Sequence, residues 1–429
     1  MNHTPTATER AHSPIELPHD TDDRWKQGQA VGRVVLKRRK ARPFFAHHPW
    51  VYHSAIGEVE GQLRDGDVVD VCNERGEFIA RGIYNSRSRL RVRLYTWNAD
   101  QGLDAEFWTQ RFRRAIELRH QLGAFQPQRA TRLIYSEADG LSGLIIDKYD
   151  NHLVAQINSL AIGVRWHWLA PLLTDTLELF TPSTSSIVVR CDKSVSADEG
   201  LPSSDPYVMD GNEQPPITIM EHGLAYEVDL LRGQKTGCYL DQSDNHVAVA
   251  KYMRDRRVLD LFCYAGAFGL NALARGGARE VIGVDSNKHV ISVAQQNAAN
   301  NRLTNIQFET SDAFDYLRGC QEQGQRFGAV ILDPPKFART RSRIEAAMRA
   351  YHRLNSQAVD VLEPNGILAT CSCSGGVSRE LFLSMLADVA CRAGRDIQVL
   401  EQRGAAADHP VSSCCPESDY LKCFICRVS

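Results

Sequence analysis

The stretch VLDLFCYAGAFGLNALARGGAREVIGVD, from Val258 to Asp285, decides the fold of this chain. Its first five residues form an apolar run that is typical of a buried parallel strand. Small residues at 264–269 predict a tight turn into a helix, and a second apolar strand follows at 281–285. This strand–turn–helix–strand order predicts a doubly wound α/β unit with a nucleotide-sized ligand over the turn.

Two carboxylates near the turn indicate which ligand fits. Asp260 lies inside the first strand, where it would repel a pyrophosphate but would suit a cation such as S-adenosylmethionine. Asp285 ends the second strand and could accept both ribose hydroxyls. The turn glycines, Gly266 and Gly269, fall short of a dinucleotide fingerprint. S-adenosylmethionine is therefore predicted as the ligand in preference to a nicotinamide or flavin cofactor. The alternative is an α/β unit that binds no ligand.

The predicted cofactor site draws on the turn and on the ends of four strands, because ligands of open α/β sheets bind beyond the strands' carboxyl ends. Asp312 is expected beside the adenine, with Ala313 giving a backbone contact. The full predicted set is Asp260, Tyr264, Ala265, Gly266, Phe268, Gly269, Asp285, Ser286, Asp312, Ala313 and Asp333.

The bulk composition limits the class of protein. A chain of 429 residues is long enough for two or three domains. None of its apolar runs approaches the ~20 residues of a membrane span. The polar residues 1–30 lack the layout of a secretion signal and predict a disordered extension, so a cytoplasmic location without membrane attachment is expected. The twelve cysteines are accordingly expected to be free thiols.

A cysteine group near the C-terminus suggests a metal site at first sight. Residues 422–428 (KCFICRV) have the pattern of a strand, however. Cys423 and Cys426 would then point to opposite faces, so no metal site is predicted.

Residues 31–97 predict a small all-β module with a basic character. They hold 13 Lys/Arg against 7 Asp/Glu, a net +6, which leaves −8 for the rest of a chain whose total is −2. Such asymmetry favours a polyanionic partner. Two groups are expected to contact RNA phosphates, with a merely solvated edge as the alternative. The first group is the cluster Lys37, Arg38 and Arg39. The second lies on one face of a strand predicted over 86–94 and consists of Arg87, Arg89, Arg91 and Arg93.

The remaining chain divides into two further predicted domains. Residues 98–215 predict a central α+β domain with a helix over 162–179, and the composition of 200–216 is typical of a linker. From 216 to 429, strands and helices alternate as in a Rossmann-like sheet.

The segment Asp333-Pro334-Pro335-Lys336 predicts a rigid turn after the fourth strand of that sheet. The Asp333 carboxylate and the Pro334 carbonyl could bind the exocyclic amine or ring nitrogen of a planar base. Pro335 and Lys336 complete the predicted substrate contacts, and a stiff loop without chemistry is the alternative.

Cys371 is expected to leave the fifth strand, 366–370, at the reactive edge of the sheet. A thiolate there could add to carbon 6 of a pyrimidine and make carbon 5 nucleophilic. A free thiol with a pKa of about 8.5 is only slightly ionised at neutral pH, so activation is implied. Cys373 could assist or substitute, and an inert buried cysteine is the alternative.

Ten short motifs follow one another along the chain from about Val31 onward. They are His48–Val51, Ala80–Gly82, Ser136–Leu141, Gly233–Gly237, Tyr239–Gln242, Asp260–Gly269, Asp333–Phe337, Thr370–Ser374, Asp408–Val411 and Tyr420–Lys422. In these motifs the chain resembles a known family, the PUA-domain-containing class I methyltransferases that form 5-methylcytosine in 23S ribosomal RNA. The chain departs from the family pattern at Ser243 and His246, where arginine is usual.

The resemblance implies a PUA module that binds RNA, a central α+β domain, a methyltransferase domain and a homodimer. It also implies that Cys371 is the nucleophile position. Two other functions stay open: S-adenosylmethionine-dependent methylation of a base nitrogen, in which Cys371→Ala would retain most activity, and a non-catalytic rRNA-binding assembly factor.

Overall fold

The protein is described by a computed structural model that covers residues 26–181, 184–202, 205–212, 216–233, 236–338 and 343–429. The predicted disordered extension lies outside these described residues except for 26–30. The described residues within 1–116, 140–146 and 152–213 form one compact unit, and those within 117–139, 147–151 and 214–429 form a second. The domain boundaries predicted after residues 30, 97 and 215 remain predictions. In the described part of the chain, no helix has the length and apolarity to cross a membrane.

The chain up to residue 213 alternates strands with mostly short helices. The strands are β1 (Gly32–Leu36), β2 (Trp50–Tyr52), β3 (Ile56–Glu60), β4 (Val68–Cys72), β5 (Phe78–Tyr84), β6 (Leu90–Thr96), β7 (Ala130–Tyr135), β8 (Leu144–Tyr149), β9 (His152–Ile157), β10 (Ser186–Arg190) and β11 (Tyr207–Asp210). The helices are α1 (Arg42–Phe45), α2 (Ala105–Gln121), α3 (Leu160–Gly163), α4 (Trp166–Glu178) and α5 (Lys193–Glu199). The single helix predicted over 162–179 is thus two helices.

A six-stranded sheet in the order β2-β6-β5-β4-β1-β3 organises the first unit. β1 pairs in parallel with β4, and the other neighbours are antiparallel. Alternate residues of these strands, such as Val34, Val69 and Val92, point into one buried core that Phe44 of α1 also joins. The predicted all-β module is confirmed.

The linker predicted over 200–216 is wrong in its middle, because it contains β11. This strand pairs antiparallel with β10 through Val188 and Val208, and β10 pairs in parallel with β9. Glycine and proline on both sides of the short apolar run hid it. Residues 203–204 and 213–215 of this stretch lie outside the described ranges.

The rest of the chain, from residue 217, alternates strands and helices more regularly. Its strands are β12 (Ile217–Glu221), β13 (Leu224–Val228), β14 (Arg257–Leu261), β15 (Glu280–Asp285), β16 (Ile306–Thr310), β17 (Phe327–Leu332), β18 (Leu362–Ser372), β19 (Ile397–Arg403) and β20 (Lys422–Val428). Its helices are α6 (Ser243–Ala250), α7 (Ala267–Ala274), α8 (Lys288–Asn300), α9 (Ala313–Glu322), α10 (Ile344–Asp360) and α11 (Arg379–Ala393).

Seven of these strands form the main sheet of the second unit, in the order β16-β15-β14-β17-β18-β20-β19. The first five are parallel, and β20 runs antiparallel to both of its neighbours. The strand order reverses at β14, which places the topological switch point, the usual ligand crevice, between β14 and β17.

Apolar side chains cover both faces of this sheet, as a strand buried on both sides requires. Helices α9, α10 and α11 pack on one face, around Leu317, Tyr351 and Phe382. Helices α6 and α7 supply Val249 and Phe268 to the core on the other face. The Rossmann-like α/β prediction is confirmed.

Cys423 and Cys426 follow the predicted alternation of β20. Cys423 belongs to the core on the α6–α7 face and Cys426 to the core on the α9–α11 face. All twelve cysteines have free thiols.

A buried ion pair, for which the sequence pattern offers no signal, stabilises the second unit. Arg132 donates to both carboxylate oxygens of Asp147, at 2.5 and 3.0 Å, and their side chains are 9% and 0% exposed. The Thr236 hydroxyl also donates to Asp147. The carboxylate is therefore held by a cation and a hydroxyl in a site without water access.

We expect Arg132→Met to lower the free energy of unfolding by about 3–5 kcal/mol, because it leaves the Asp147 carboxylate buried without its cation. Urea unfolding measures this loss, and Arg132→Met/Asp147→Leu should recover part of it. The control is Arg392→Met, whose pair with Asp360 is 43% and 36% exposed, with an expected loss below about 1 kcal/mol. Equal losses in the two single variants would contradict the prediction.

Candidate active site

The carboxyl edge of the main sheet brings most of the predicted cofactor and catalytic residues together. The parallel strands β15, β14, β17 and β18 lie side by side. Asp285 ends β15, Asp260 is the penultimate residue of β14, Asp333 directly follows β17, and Cys373 directly follows β18. The polar strand ends that are up to 113 residues apart in sequence therefore meet at the switch point.

Asp260 is a buried carboxylate with one oxygen satisfied. Its side chain is 1% exposed, and Oδ2 accepts a hydrogen bond from the Gly269 amide at 2.9 Å. Among the described residues Oδ1 has no hydrogen-bond partner. Burial raises the pKa of Asp260 to about 7, the Gly269 amide opposes the rise, and the Asp333 carboxylate adds to it. A carboxylate in this condition favours a cationic ligand.

The turn between β14 and α7 has a strained backbone. Phe262 and Tyr264 have φ values of 61° and 48°, in the left-handed region that only glycine adopts without strain, and Gly266 follows at 84°. The Tyr264 amide donates to Asp285 Oδ2 at 3.2 Å, and the Gly266 amide donates to the Cys263 carbonyl at 2.8 Å. These bonds hold a conformation that lets the backbone approach a ligand closely.

Gly269 has no room for a side chain. A Cβ there would lie 2.9 Å from Val281 Cγ1 and 3.2 Å from Asp260 Oδ2. The position therefore requires glycine for packing as well as for its amide bond to Asp260.

Asp285 and Ser286 lie at the end of β15. Asp285 is half-buried, and its Oδ1 accepts from the Asn287 amide at 2.9 Å. Ser286 is exposed. The Asp285 carboxylate is accessible at the position where a ribose was predicted. Both of its oxygens, however, already accept hydrogen bonds from backbone amides.

Asp312 is an exposed N-cap of α9, and its Oδ1 accepts from the amides of Phe314 and Asp315 at 2.9 and 3.2 Å. This capping is sufficient to account for an aspartate at the start of α9. It uses only Oδ1 and leaves Oδ2 for a ligand contact. Ala313 is 4% exposed and belongs to the core.

Two further predicted cofactor residues, Phe268 and Ala265, have structural contacts. The Phe268 ring is 5% exposed and lies edge-on to the His246 ring at 4.5 Å. The Ala265 carbonyl accepts from Asn297 at 3.1 Å. Burial alone would lower the pKa of His246, but the Glu221 carboxylate, 2.7 Å from Nδ1, raises it above its ordinary value. The His246–Glu221 pair therefore backs the first turn of α7.

Asp333 is oriented by an amide. Gln242, 2% exposed, donates from Nε2 to Asp333 Oδ1 at 3.0 Å, and its Oε1 accepts from Asn245 at 2.7 Å. The second bond fixes which end of the amide faces Asp333. Pro334 is buried, whereas Pro335 and Lys336 are exposed.

The prediction that Cys371 leaves the sheet at its reactive edge is wrong. β18 continues to Ser372 because β20 pairs with it as far as Ser372 opposite Lys422. Cys371 thus lies inside the sheet, opposite Cys423, and is 0% exposed. A hydrogen bond with the Cys423 thiol and burial raise the pKa of Cys371 well above its ordinary value. Such a thiol is protonated and shielded from a nucleotide.

Cys373 lies just past the end of β18 and is half-buried. Its Sγ is 3.9 Å from the Pro334 carbonyl oxygen. Of the two predicted thiols, the structure places Cys373 beside the Asp-Pro-Pro turn.

The basic cluster of the first unit lies in the turn after β1. Lys37, Arg38 and Arg39 are all exposed. Lys37 Nζ donates to the Ser54 carbonyl at 3.2 Å, which ties the turn to the segment after β2.

The prediction that four arginines line one face of a strand is wrong. β6 begins only at Leu90, because Asn85 and Ser88 side chains accept the amides of Arg87 and Leu90 and hold 86–89 in a loop. Arg87 and Arg89 are exposed in this loop. Arg91 and Arg93 are half-buried in β6, where they donate to the Asn85 carbonyl at 3.2 Å and to Glu199 at 3.1 Å, respectively.

Three further residues join the site without having been predicted as parts of it. Gln242 orients Asp333, and Lys422 lies at the start of β20 beside the end of β18. The Tyr239 ring lies edge-on to the Tyr264 ring, with the ring centres 5.0 Å apart. Burial raises the pKa of the Tyr239 hydroxyl most, and the nearby Tyr264, Asp333 and Cys373 side chains raise it further. Their only sequence signal was membership of the motifs Tyr239–Gln242 and Tyr420–Lys422.

Comparisons with known proteins agree with this geometry. A family model described as "PUA-like domain" matches residues 34–97, and one described as "S-adenosylmethionine-dependent methyltransferase" matches residues 171–410. A ribosomal RNA large subunit methyltransferase I from Tolumonas auensis is 39% identical over 398 residues, 92% of this chain and 98% of that protein. One from an Enterobacter species is 38% identical over 400 residues, 92% and 99% of the two chains.

Solved structures share the fold. A Streptococcus mutans protein described as a SAM-dependent methyltransferase superposes with a TM-score of 0.77 at 19% identity, over 92% of this chain and 99% of that one. A second structure, of a methyltransferase complexed with SAH, gives a TM-score of 0.78 at 20% identity over the same shares.

The fold and the site thus define an S-adenosylmethionine-dependent methyltransferase, as predicted. Within that class, the chain belongs to the ribosomal RNA large subunit methyltransferase I family.

The residues present fit S-adenosylmethionine, which supplies a methyl group from a positively charged sulfur. Among the described residues, the unpartnered Asp260 Oδ1 is a buried acceptor for a cation, and Gly266 and Gly269 let the turn and the start of α7 pack closely beside it. Asp285 and the backbone of the turn would hold the remainder.

We expect the affinity for S-adenosylmethionine to increase with pH between 5.5 and 7.5. Below pH 7 the Asp260 carboxyl is mostly protonated, so a bound cation must displace a proton, which costs up to about tenfold in Kd per pH unit. Isothermal titration calorimetry in two buffers of different ionisation enthalpy measures both the affinity and the proton release.

Asp260→Asn is the matched control, because it keeps the shape of the side chain but cannot lose a proton. It should bind S-adenosylmethionine weakly, and any proton exchange that remains should come from the ligand and not from residue 260. A native Kd that does not change with pH would show that Asp260 does not face the cation.

Proposed function

We propose that this protein methylates carbon 5 of a cytosine in 23S ribosomal RNA through a covalent bond between cysteine and the base. The observation that carries the proposal is the half-buried Cys373 thiol, 3.9 Å from the Pro334 carbonyl, at the same sheet edge as the acidic cofactor pocket. The relatives' name, ribosomal RNA large subunit methyltransferase I, supports the substrate class.

Cys373, rather than Cys371, is the proposed nucleophile. Cys371 shares its buried position with Cys423 and has no exposed surface, whereas Cys373 lies beyond the last strand pair. The thiolate adds to carbon 6 of the cytosine, and carbon 5 then accepts the methyl group. A base removes the carbon 5 proton, and the thiolate leaves as the ring regains its double bond.

Asp333 and Pro334 are proposed to hold the cytosine ring. The Asp333 carboxylate and the Pro334 carbonyl are acceptors, so they suit the exocyclic amine of cytosine and disfavour the carbonyl that uracil carries there. Gln242 holds one carboxylate oxygen and so restricts how the Asp333 carboxylate can turn. The base must leave its stack to reach this site, at a cost of a few kcal/mol.

The first unit is proposed to supply RNA affinity through its exposed basic turn rather than through a β6 ridge. Lys37, Arg38 and Arg39 are exposed, whereas the Arg93 guanidinium is already paired with Glu199. The protein is further proposed to act in the cytoplasm, in rRNA processing, and as a homodimer, which the family resemblance supports.

We expect Cys373→Ala to abolish transfer of labelled methyl groups to 23S rRNA from cells lacking the gene. Cys371→Ala, the matched control, should retain at least about a tenth of the activity, because its thiol has no exposed surface and lies inside the sheet opposite Cys423. Nucleoside mass spectrometry identifies the product as 5-methylcytosine.

Each alternative function has its own outcome in this experiment. Methylation of a base nitrogen would leave both variants active and give a different nucleoside. An assembly factor would bind rRNA without any transfer. Loss of activity only in Cys371→Ala would reverse the assignment of the two thiols.

We expect Lys37→Ala/Arg38→Ala/Arg39→Ala to weaken RNA binding and to reduce the slope of log K against log salt by about 0.7–0.9 for each phosphate that the variant no longer neutralises. Fluorescence anisotropy at several salt concentrations measures both. The control, Arg93→Ala, should leave the salt slope unchanged although it breaks the pair with Glu199. A reduced slope only in the control would place the RNA surface on β6 instead.

A further inference from the structure

Lys422 is a buried cation for which the residue pattern predicts no role. It is the first residue of β20, and its side chain is 1% exposed. Its Nζ donates to the backbone carbonyls of Ser374 and Tyr420, each at 2.7 Å. Neither acceptor is charged, so the cost of removing the ammonium from water is only partly offset.

Lys422 and Tyr351 together fix the segment 372–374, here called the thiol segment. The Ser372 hydroxyl donates to the Tyr351 hydroxyl at 2.9 Å, and the Ser374 hydroxyl lies 3.2 Å from the same oxygen. Lys422 pairs with Ser372 across the strands and holds the Ser374 carbonyl. Cys373 is the middle residue of a segment that is bonded on both sides.

Few charged groups among the described residues lie around this position. Burial lowers the pKa of Lys422 to about 8, Asp419 and Cys373 oppose this shift, and Arg379 and Lys336 add to it. Tyr239 and Tyr351 lie close enough to Cys373 for its charge to raise their pKa values, and Asp333 acts on the same two tyrosines. None of these three neighbours is cationic. Lys336 is exposed and screened by water. Among the described residues of this group, Lys422 is thus the cation that is buried.

We propose that Lys422 is a positioning residue for the nucleophile, whose ammonium stabilises the thiolate of Cys373 and holds the thiol segment at the sheet edge. The inference rests on the proposed function, in which Cys373 attacks the base. Its geometric basis is the bond from the Lys422 ammonium to the carbonyl of Ser374, the residue next to Cys373. A cation held beside a thiol favours the ionised form, which is the nucleophile.

The test is the pH dependence of alkylation by iodoacetamide, read by mass spectrometry of the individual cysteine peptides in the full-length protein. Cys391, exposed on α11, is the internal reference, and Cys373 should react at a lower pH than Cys391. In Lys422→Met the midpoint for Cys373 should rise by about one pH unit or more, a roughly tenfold slower reaction at pH 7. Cys391 should be unaffected.

Lys422→Arg is the conservative control. It keeps the positive charge, so the midpoint for Cys373 should stay close to that of the native protein even if the segment shifts. Thermal unfolding and the Kd for S-adenosylmethionine establish that each variant is folded. If Lys422→Met does not fold, the inference is still tested by two measurements. They are the comparison of Cys373 with Cys391 in the native protein and the alkylation profile of Lys422→Arg.

An unchanged Cys373 profile in folded Lys422→Met would overturn the inference, and so would a native Cys373 that reacts no earlier than Cys391. Methyl transfer by Lys422→Met should be reduced about tenfold in kcat at pH 7, less at pH 9, with KM for RNA unchanged. Alkylation does not require turnover. An active Cys373→Ala would therefore refute the proposed function without altering the measured coupling of Lys422 to the thiol.

Discussion

The carboxylate of Asp260, removed from water inside a parallel strand, is the constraint on which the cofactor pocket depends. A half-satisfied carboxylate at that depth is stable only if an amide, a proton or a cation compensates for the lost hydration. The Gly269 amide supplies one bond, and it can do so only because Gly269 has no side chain and because the strained turn brings α7 back against β14. His246, whose pKa is raised by its Glu221 partner, packs against Phe268 behind the same turn. Sheet, turn and helix are therefore all arranged around one acidic group.

The sequence was sufficient to predict this part of the molecule because its signals are local. Asp260, Gly266 and Gly269 lie within ten residues, and the apolar runs around them have the length and composition of buried parallel strands. The strand ends could be grouped as well, since parallel strands place their carboxyl ends at one edge. Local patterns of this kind survive folding without reference to distant residues.

The predictions that failed depended on partners distant in sequence. The end of β18 was set by pairing with β20, so Cys371 became an interior residue and Cys373 the terminal one. Two side-chain-to-backbone hydrogen bonds hold Arg87 and Arg89 in a loop before β6. Arg93 in β6 pairs with Glu199, more than one hundred residues away in sequence. Neither period-two alternation nor charge count contains that information. Gln242 was likewise invisible as a site residue, because its contact with Asp333 spans 91 positions.

The insertion of β20 between β18 and β19 makes the reactive end of β18 depend on the last strand of the sheet. Lys422 pairs with Ser372 across these strands, and its bond to the Ser374 carbonyl joins residues 48 positions apart. Strand β14, which carries the acidic group of the cofactor pocket, is paired instead with β15 and β17. The two halves of the site are therefore anchored in different parts of one sheet, so a substitution in β20 can alter the thiol while the cofactor pocket keeps its strand partners.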